Sequence, residues 1–129
     1  MILDSSALVA ILFREPEAER LLVALETASS SSLGAPTLTE TGIVIGSRLG
    51  FRSRDLNQLL ATFEVNIVSF SPLHDEEALR AYEKFGKGRH KAGLNFGDCL
   101  TYAVAKLAQE PLLCVGQDFV HTDLPLADY

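Results

Sequence analysis

Short apolar runs alternate along the chain with longer stretches in which apolar residues recur every three or four positions. The short runs, at residues 1–3, 65–70 and 111–116, have the length and composition of buried strands. The longer stretches predict helices, because this spacing places their apolar residues on one helical face. These helices are expected at residues 6–13, 15–28, 37–50, 54–63, 72–86 and 94–105. The serine-rich segment 28–32 is interpreted as a loop.

Strands separated by helices are typical of a parallel sheet covered on both faces. We therefore predict an α/β fold with three layers, α/β/α, around a central parallel sheet. The 129 residues suffice for one sizeable core, so a single domain over residues 1–129 is expected. No apolar run approaches the roughly 20 residues that cross a bilayer. Since the first residues also lack the basic segment of a secretory signal, we expect a cytoplasmic protein without membrane contact.

Composition excludes several kinds of site. The net charge of −6, from 17 acidic and 11 basic residues, argues against a broad electrostatic footprint on long nucleic acid. The chain carries no DNA-binding motif, so direct DNA binding is not expected. Cys99 and Cys114 lie among apolar residues and predict free thiols. The three histidines are too scattered along the chain for a zinc pattern.

Four acids occupy similar positions relative to the predicted elements. Asp4 and Asp118 follow the first and last predicted strands. Glu40 and Asp98 lie in the first turns of predicted helices. Glu40 belongs to a capping box that begins at Thr37, and Asn95 and Asp98 have the same spacing. Each position has a structural explanation, because an acid there caps a helix or stabilises a turn. In a parallel sheet, however, all four positions meet at the carboxyl edge, where ligands bind.

Carboxylates brought together at this edge would repel one another. At about 4 Å and an effective dielectric constant near 20, each pair costs on the order of 4 kcal/mol, which a bound cation would offset. Oxygen ligands without His or Cys predict Mg²⁺, with Mn²⁺ as the alternative. Asp123 is a fifth candidate metal ligand near the same edge. The hydroxyls of Ser5, Ser6 and Thr101 are candidates for a second shell around the metal or for holding a bound water.

A basic loop, GKGRHK at residues 86–91, directly precedes the helix that contains Asp98. Lys87, Arg89 and Lys91 are candidates for contacts with the phosphates of a single-stranded RNA loop, the form in which bases are open to recognition. A solvated basic surface explains the same residues equally well. The loop therefore suggests an RNA-binding role and leaves the alternative open.

Phosphodiester hydrolysis suits such a group of acids. The reaction needs a nucleophile at neutral pH and compensation of the phosphate charge, and a carboxylate-bound Mg²⁺ supplies both. In this interpretation Asp4 and Asp98 hold a first metal ion, and Glu40 positions or deprotonates the attacking water. Asp118 completes a second metal site that fills when substrate phosphate adds ligands.

Four segments of the chain carry a resemblance to a known family. They are MILDSSAL, TLTE, LNFGDCLTYAVA and LLCVGQDFVHTDL, and they run in this order over nearly the whole chain. Together they resemble the VapC-type toxins, which are PIN-domain ribonucleases of type II toxin–antitoxin systems. The resemblance implies a PIN-like fold and an Mg²⁺-dependent endoribonuclease that leaves 5′-phosphate and 3′-hydroxyl ends. It also implies inhibition by a VapB-type antitoxin, and a homodimer.

The family's acidic pocket maps onto Asp4, Glu40 and Asp98 directly. The fourth acid differs, because family members often carry Asp or Asn slightly ahead of the "DF" pair, where this chain has neither. The resemblance therefore implies Asp118 in this role, with Asp123 as the second choice. This departure concerns the second metal site rather than the first.

Three other interpretations of the same residues are open beside the nuclease. A receiver-like phosphoacceptor domain also combines an α/β fold, aspartates and Mg²⁺, but it needs a lysine after a late strand, and none follows residue 111. A PIN module that only binds a partner is a second alternative, against which the intact Asp4, Glu40 and Asp98 argue. In the third, the four acids are helix caps and turn residues without a ligand.

Overall fold

The computed structural model describes all 129 residues, as four short strands and six helices. The strands are β1 (Ile2–Leu3), β2 (Ser32–Gly34), β3 (Asn66–Val68) and β4 (Leu112–Leu113). The helices are α1 (Ser5–Leu12), α2 (Ala18–Thr27), α3 (Ala35–Leu49), α4 (Asp55–Thr62), α5 (Pro72–Phe85) and α6 (Phe96–Ala108). None of these helices combines the length and the apolar character needed to cross a membrane.

The four strands form one parallel sheet in the order β3-β2-β1-β4. From β1 the chain moves outward through β2 to β3, and then returns to the other side of β1 for β4. The direction of the connections therefore reverses between β1 and β4. In open parallel sheets, the crevice at the carboxyl ends of two such strands is where ligands bind.

Two hydrophobic cores lie on opposite faces of this sheet, because successive strand residues point in opposite directions. Ile2 belongs to the core that α5 and α6 cover, and Leu3 to the core that α1, α2 and α4 cover. β4 repeats the pattern, with Leu112 in the first core and Leu113 in the second. The predicted α/β/α arrangement around a parallel sheet is confirmed.

The outer edge of β4 is covered by residues near the end of the chain. The Leu112 N–H donates to the carbonyl oxygen of Pro125 at 2.9 Å, and the Ala127 N–H donates to the carbonyl oxygen of Leu112 at 2.9 Å. No strand pairs with the outer edge of β3. The sheet therefore has one covered edge and one open edge.

Strand β2 is absent from the sequence prediction, which is wrong in assigning Ser32 to a loop. This strand contains one large apolar residue, Leu33, which is fully buried, and one residue does not make an apolar run. Pairing on both sides defines the strand instead, since it lies between β1 and β3. Tertiary contacts thus determine an element that the local pattern does not indicate.

The predicted start of α3 at Thr37 is also wrong. The helix begins at Ala35, with Gly34 at the N-cap position and Pro36 in the first turn, where proline is favoured. Thr37 and Glu40 therefore form no capping box, and Glu40 lies beyond the first turn. The other predicted helices are present, although α2 begins only at Ala18.

Candidate active site

Asp4 lies at the carboxyl end of β1 and forms the N-cap of α1. Its N–H donates to the carbonyl oxygen of Leu113 at 2.9 Å, which joins it to β4. Its Oδ2 accepts hydrogen bonds from the Ser6 N–H at 3.0 Å and from the Ser6 hydroxyl at 2.6 Å. The residue is only 6% exposed. The cap occupies one carboxylate oxygen, and no protein donor reaches the other.

Ser6 connects this acid to the neighbouring strand. Its hydroxyl donates to Asp4 and accepts a hydrogen bond at 2.9 Å from the N–H of Val115, just after β4. One side chain thus bridges the ends of the two strands between which the connections reverse. Ser6 therefore holds Asp4 at the position that the topology marks for a ligand.

Asp98 lies in the first turn of α6 and takes part in a capping box with Asn95. The Asp98 carboxylate accepts from the Asn95 N–H at 2.8 Å, and the Asn95 side-chain oxygen accepts from the Asp98 N–H at 3.0 Å. Asp98 therefore caps α6, as the structural explanation of this acid predicted. As with Asp4, the cap uses only Oδ2 of the carboxylate.

The surroundings of Asp98 do more than a cap requires. Burial, against the effect of the Asn95 hydrogen bond, and the charges of three neighbouring carboxylates together raise the pKa of its carboxyl to about 6. These carboxylates are Asp118, Asp4 and Glu40. Three other carboxylates therefore lie within the electrostatic range of Asp98, which capping the helix does not require.

Glu40 reaches the same place from the second turn of α3. Burial raises the pKa of its carboxyl, the charge of Asp4 adds to this, and the Ser5 hydroxyl acts in the opposite direction. Gly97 makes the approach to α6 possible, because a Cβ on Gly97 would lie 2.8 Å from Oε1 of Glu40. Gly97 was not among the residues predicted to belong to the site. Its signal is a glycine inside a helix, where alanine would be more stable unless close packing excludes a side chain.

Asp118 is exposed after β4, and its charge raises the pKa of both Asp98 and Cys114. Burial raises the pKa of the Cys114 thiol to about 12, and the charges of Asp4 and Asp118 contribute. Cys114 and Cys99 are free and buried, as predicted. A thiol with so high a pKa is not a nucleophile at neutral pH, so the chemistry of this edge rests on its carboxylates.

Asp123 lies in different surroundings. Its Oδ1 accepts from the Tyr102 hydroxyl at 2.6 Å, and its Oδ2 accepts from Lys106 Nζ at 3.1 Å and Lys84 Nζ at 3.3 Å. Burial alone would raise the pKa of Asp123, but these three donors lower it to about 2. Its charge is not among those that raise the pKa of Asp98. The structure therefore separates Asp123 from the other four acids.

Thr101 does not contact an acid. Its hydroxyl lies 3.0 Å from the hydroxyl of Thr37, and both residues are buried. This contact joins α6 to α3, the helix that carries Glu40. Thr101 thus helps to set the distance between two helices, and its role in supporting the metal ligands or holding a bound water stays a prediction.

The basic loop is compact and exposed. It is closed where the Lys87 N–H donates to the carbonyl oxygen of Leu94 at 2.9 Å and the Leu94 N–H donates to the carbonyl oxygen of Phe85 at 2.9 Å. Lys87, Arg89 and Lys91 are all exposed, and none forms an ion pair. The guanidinium of Arg89 lies over the ring of Tyr82, 5.8 Å from its centroid. The loop ends shortly before Asn95, the capping residue of α6, so its three cations precede Asp98 closely in sequence and no carboxylate neutralises them.

We call Asp4, Glu40, Asp98 and Asp118 the acidic group. No three His, Cys, Asp or Glu side chains are close enough together to form a complete metal site from protein atoms alone. The acidic group therefore offers separate carboxylate oxygens and not a preformed cage. No cation of the protein pairs with any of its four members.

A groove of about 640 Å³ opens beside Glu40, between α3 and the start of α6. Its lining is largely apolar and includes Ile43, Phe96 and Leu100. Ile43 is 56% exposed and Phe96 is 78% exposed. Apolar side chains this exposed are typical of a surface that contacts another molecule.

Comparison with known proteins places the chain in a family. Residues 1–124 match the family profile described as the PIN domain. Ribonuclease VapC30 of Mycobacterium tuberculosis is 42% identical over 125 residues, which cover 96% of this chain and 95% of VapC30. The crystal structure of Mycobacterium tuberculosis VapC20, a sarcin–ricin loop cleaving toxin, aligns with a TM-score of 0.78 at 16% identity, covering 98% of this chain and 97% of that one. A toxin–antitoxin complex from Klebsiella pneumoniae aligns with a TM-score of 0.76 at 18% identity, covering 99% and 97%. The chain therefore belongs to the PIN domain family and, within it, to the VapC ribonucleases.

Proposed function

We propose that this protein is an Mg²⁺-dependent endoribonuclease and the toxin of a VapBC-type toxin–antitoxin pair. One observation supports the metal-dependent part above all others. Four carboxylates lie in one electrostatic group where the connections between strands reverse, and no protein cation neutralises them. The resulting repulsion is what a bound cation would relieve.

The donor set fits Mg²⁺, with Mn²⁺ as the alternative. Every member of the acidic group is a carboxylate, and hard divalent ions prefer oxygen ligands. The absence of a complete protein cage is also compatible with Mg²⁺, which keeps several waters and commonly binds through one or two carboxylates together with substrate phosphates. Asp4 and Asp98 would hold the first ion, each through the oxygen that its cap leaves free. Asp118 would complete a second site when RNA phosphate is present.

When bound, the metal supplies charge compensation on the phosphate and an acidified water. Glu40 supplies the base. Its raised pKa suits a group that orients the attacking water and accepts its proton near neutral pH. Attack on the phosphorus with departure of the 3′ oxygen leaves a 5′-phosphate and a 3′-hydroxyl. Ser5, beside Glu40, and Ser6, on Asp4, keep the two carboxylates in place.

RNA would approach over the basic loop. Lys87, Arg89 and Lys91 are exposed, form no ion pair and are close in sequence to the cap of α6, and we expect them to contact phosphates beside the cleaved bond. Contacts of this kind position the RNA without reading its sequence. The net charge of −6 makes a large non-specific footprint unfavourable, and direct DNA binding is not part of the proposal.

Two protein partners belong to the proposal. The first is a VapB-type antitoxin, which is supported by membership of the VapC ribonucleases and by the likeness to a toxin–antitoxin complex. The second is another copy of this chain, since the exposed apolar groove beside Glu40 offers a surface for association.

The test is an Mg²⁺ titration of the purified chain, followed by cleavage of structured RNAs. Wild type is compared with Asp98→Asn, which keeps the size and the capping oxygen but removes the charge. Asp55→Asn is the matched control, because Asp55 also lies in the first turn of a helix but outside the acidic group. We expect Mg²⁺-dependent cleavage by wild type and by Asp55→Asn, and a loss of about 100-fold or more in Asp98→Asn.

Two outcomes would contradict the proposal. If wild type neither binds Mg²⁺ nor cleaves RNA, and Asp98→Asn differs only in stability, the acidic group is structural. If wild type cleaves equally well in the presence of a chelator, the protein is a ribonuclease but its metal dependence is refuted.

A further inference from the structure

Segment 116–123 carries Asp118 and has no regular secondary structure. Within it, the N–H and hydroxyl of Thr122 donate to the carbonyl oxygen of Phe119 at 3.0 Å and 2.8 Å. Phe119 is buried in the core beneath, which anchors the middle of the segment. The Asp118 side chain accepts no hydrogen bond from the protein. Its position therefore depends on the contacts that hold the segment as a whole.

Asp123 holds the far end of this segment. Its carboxylate accepts hydrogen bonds from Tyr102 and Lys106 on α6 and from Lys84 on α5, at distances between 2.6 and 3.3 Å. These are charge-assisted hydrogen bonds, which are stronger than those between neutral groups. The segment is thus attached to both helices that cover one face of the sheet.

Helix α6 connects this attachment to the acidic group. Asp98, Tyr102 and Lys106 follow one another at intervals of four residues, so they lie along one side of the helix. The first turn presents Asp98 to the acidic group, and the next two turns hold Asp123. The same helix thereby positions one acid directly and another, Asp118, through the segment that it binds.

The Tyr102 hydroxyl contributes only to the contact with Asp123. The ring is buried next to that of Phe85, with the two centroids 5.8 Å apart, so a phenylalanine would fill the same space. The single hydrogen bond of the hydroxyl goes to Asp123. Packing in the core is therefore enough to fix the position of the ring. The hydroxyl has a separate role, which is to attach segment 116–123 to α6.

We propose that Asp123, held by Tyr102, Lys84 and Lys106, is a positioning residue that fixes Asp118 relative to Asp98 in the acidic group. This inference rests on the proposed metal-dependent nuclease. It also assigns a role to an acid that was a candidate metal ligand. Both of its oxygens already accept hydrogen bonds and two lysines neutralise its charge, so it is poorly suited to bind a further cation.

The test uses two variants of the full chain. Tyr102→Phe removes one hydroxyl and keeps the buried ring. Asp123→Asn keeps the size of the side chain and removes its attraction to the two lysines. Glu76→Gln is the control, because it removes a carboxylate from an exposed ion pair with Arg80 on α5, away from the segment. For each protein we would measure the affinity for Mg²⁺ by calorimetry in the presence of an uncleavable RNA analogue, because Asp118 is expected to bind metal only together with RNA phosphate. We would also measure the kcat and KM for RNA cleavage, and thermal unfolding.

We expect Tyr102→Phe and Asp123→Asn to fold, to bind Mg²⁺ about tenfold more weakly and to lose kcat by a similar factor. The KM for RNA and the control variant should stay close to wild type. Unchanged Mg²⁺ affinity and kcat in both variants, with a shift only in unfolding temperature, would show a purely structural role and overturn the inference.

Two further outcomes separate this inference from the proposed function. If Asp123→Asn abolishes Mg²⁺ binding while Asp118→Asn leaves it intact, Asp123 is itself the ligand and the inference is wrong, although the nuclease stands. If wild type neither binds Mg²⁺ nor cleaves RNA, the proposed function fails first and the inference fails with it.

Discussion

Asp98 and Asp123 are held by the same helix, yet their environments change their acidity in opposite directions. Asp98 lies among other carboxylates, and burial together with their charges raises its pKa to about 6. For Asp123 burial acts in the same direction, but Tyr102 and two lysines outweigh it and lower the pKa to about 2. The two acids are 25 residues apart in sequence, and both were candidate metal ligands.

The difference shows how to tell whether an acid near a site is a metal ligand or a residue that stabilises the fold. A carboxylate that already has cationic partners is satisfied and stabilises the fold. A carboxylate that is buried beside others without a cation raises the free energy of the folded protein until something neutralises it. The uncompensated acids are therefore the ones to test as ligands, and the compensated acid is the one to test as an anchor.

The largest effect should come from Asp4→Asn. Asparagine is a good N-cap and keeps the oxygen that accepts from Ser6, so the free energy of unfolding should change by no more than about 1 kcal/mol. Loss of the charge removes metal binding, which is worth several kcal/mol in the transition state and corresponds to about 10³-fold in kcat. Urea unfolding and RNA cleavage measure the two quantities. A variant that unfolds early but keeps its specific activity would assign Asp4 to the fold alone.

Mg²⁺ itself should stabilise the folded protein. At about 100 times its dissociation constant, a ligand bound only by the folded state adds about 2.7 kcal/mol. Thermal unfolding with and without Mg²⁺ measures this, and the increase should vanish in Asp98→Asn. An equal increase in that variant would mean that the ion binds elsewhere.

Gly97→Ala should separate activity from stability. The added Cβ would meet the Glu40 carboxylate at 2.8 Å and displace it, so we expect kcat to fall about tenfold, which corresponds to about 1.4 kcal/mol. Alanine is a better helix residue than glycine by roughly 0.5–1 kcal/mol, so stability should stay the same or rise. Equal activity in the two proteins would exclude Glu40 from the proposed role.

The smallest effect concerns Asp123 and pH. Because its pKa is lower in the folded protein than in the unfolded chain, its contribution is complete above about pH 4 and is lost as pH falls toward 2. The side chain is 40% exposed, so solvent screening limits this contribution to on the order of 1 kcal/mol. The difference in unfolding free energy between wild type and Asp123→Asn should therefore shrink between pH 5 and pH 2. A constant difference would mean that the ion pairs add nothing.

Local signals predicted some features of this molecule well. The capping box of Asn95 and Asp98 is a pattern over four residues and was recognisable from them. The position of Asp4 after β1 follows from a short apolar run at the start of the chain. Both acids could therefore be placed at the carboxyl edge without knowledge of the structure.

Features that depend on distant residues were not predictable in this way. Asp123 accepts a hydrogen bond from Lys84, which is 39 residues away in sequence, and this contact helps to decide the role of Asp123. Gly97 is explained only by Glu40, which belongs to another helix. Strand β2 has one large apolar residue and forms because β1 and β3 lie on either side of it. In each case packing between elements supplies the information that spacing along the chain lacks.

The covered edge of β4 has a consequence for the behaviour of the protein at high concentration. Backbone groups at an open strand edge can pair with another molecule and start aggregation. Residues 125–127 occupy these groups on β4, which leaves only the three residues of β3 exposed in this way. A truncation after Leu124 would uncover the second edge, and we expect it to reduce the soluble yield even though it leaves the whole acidic group in place.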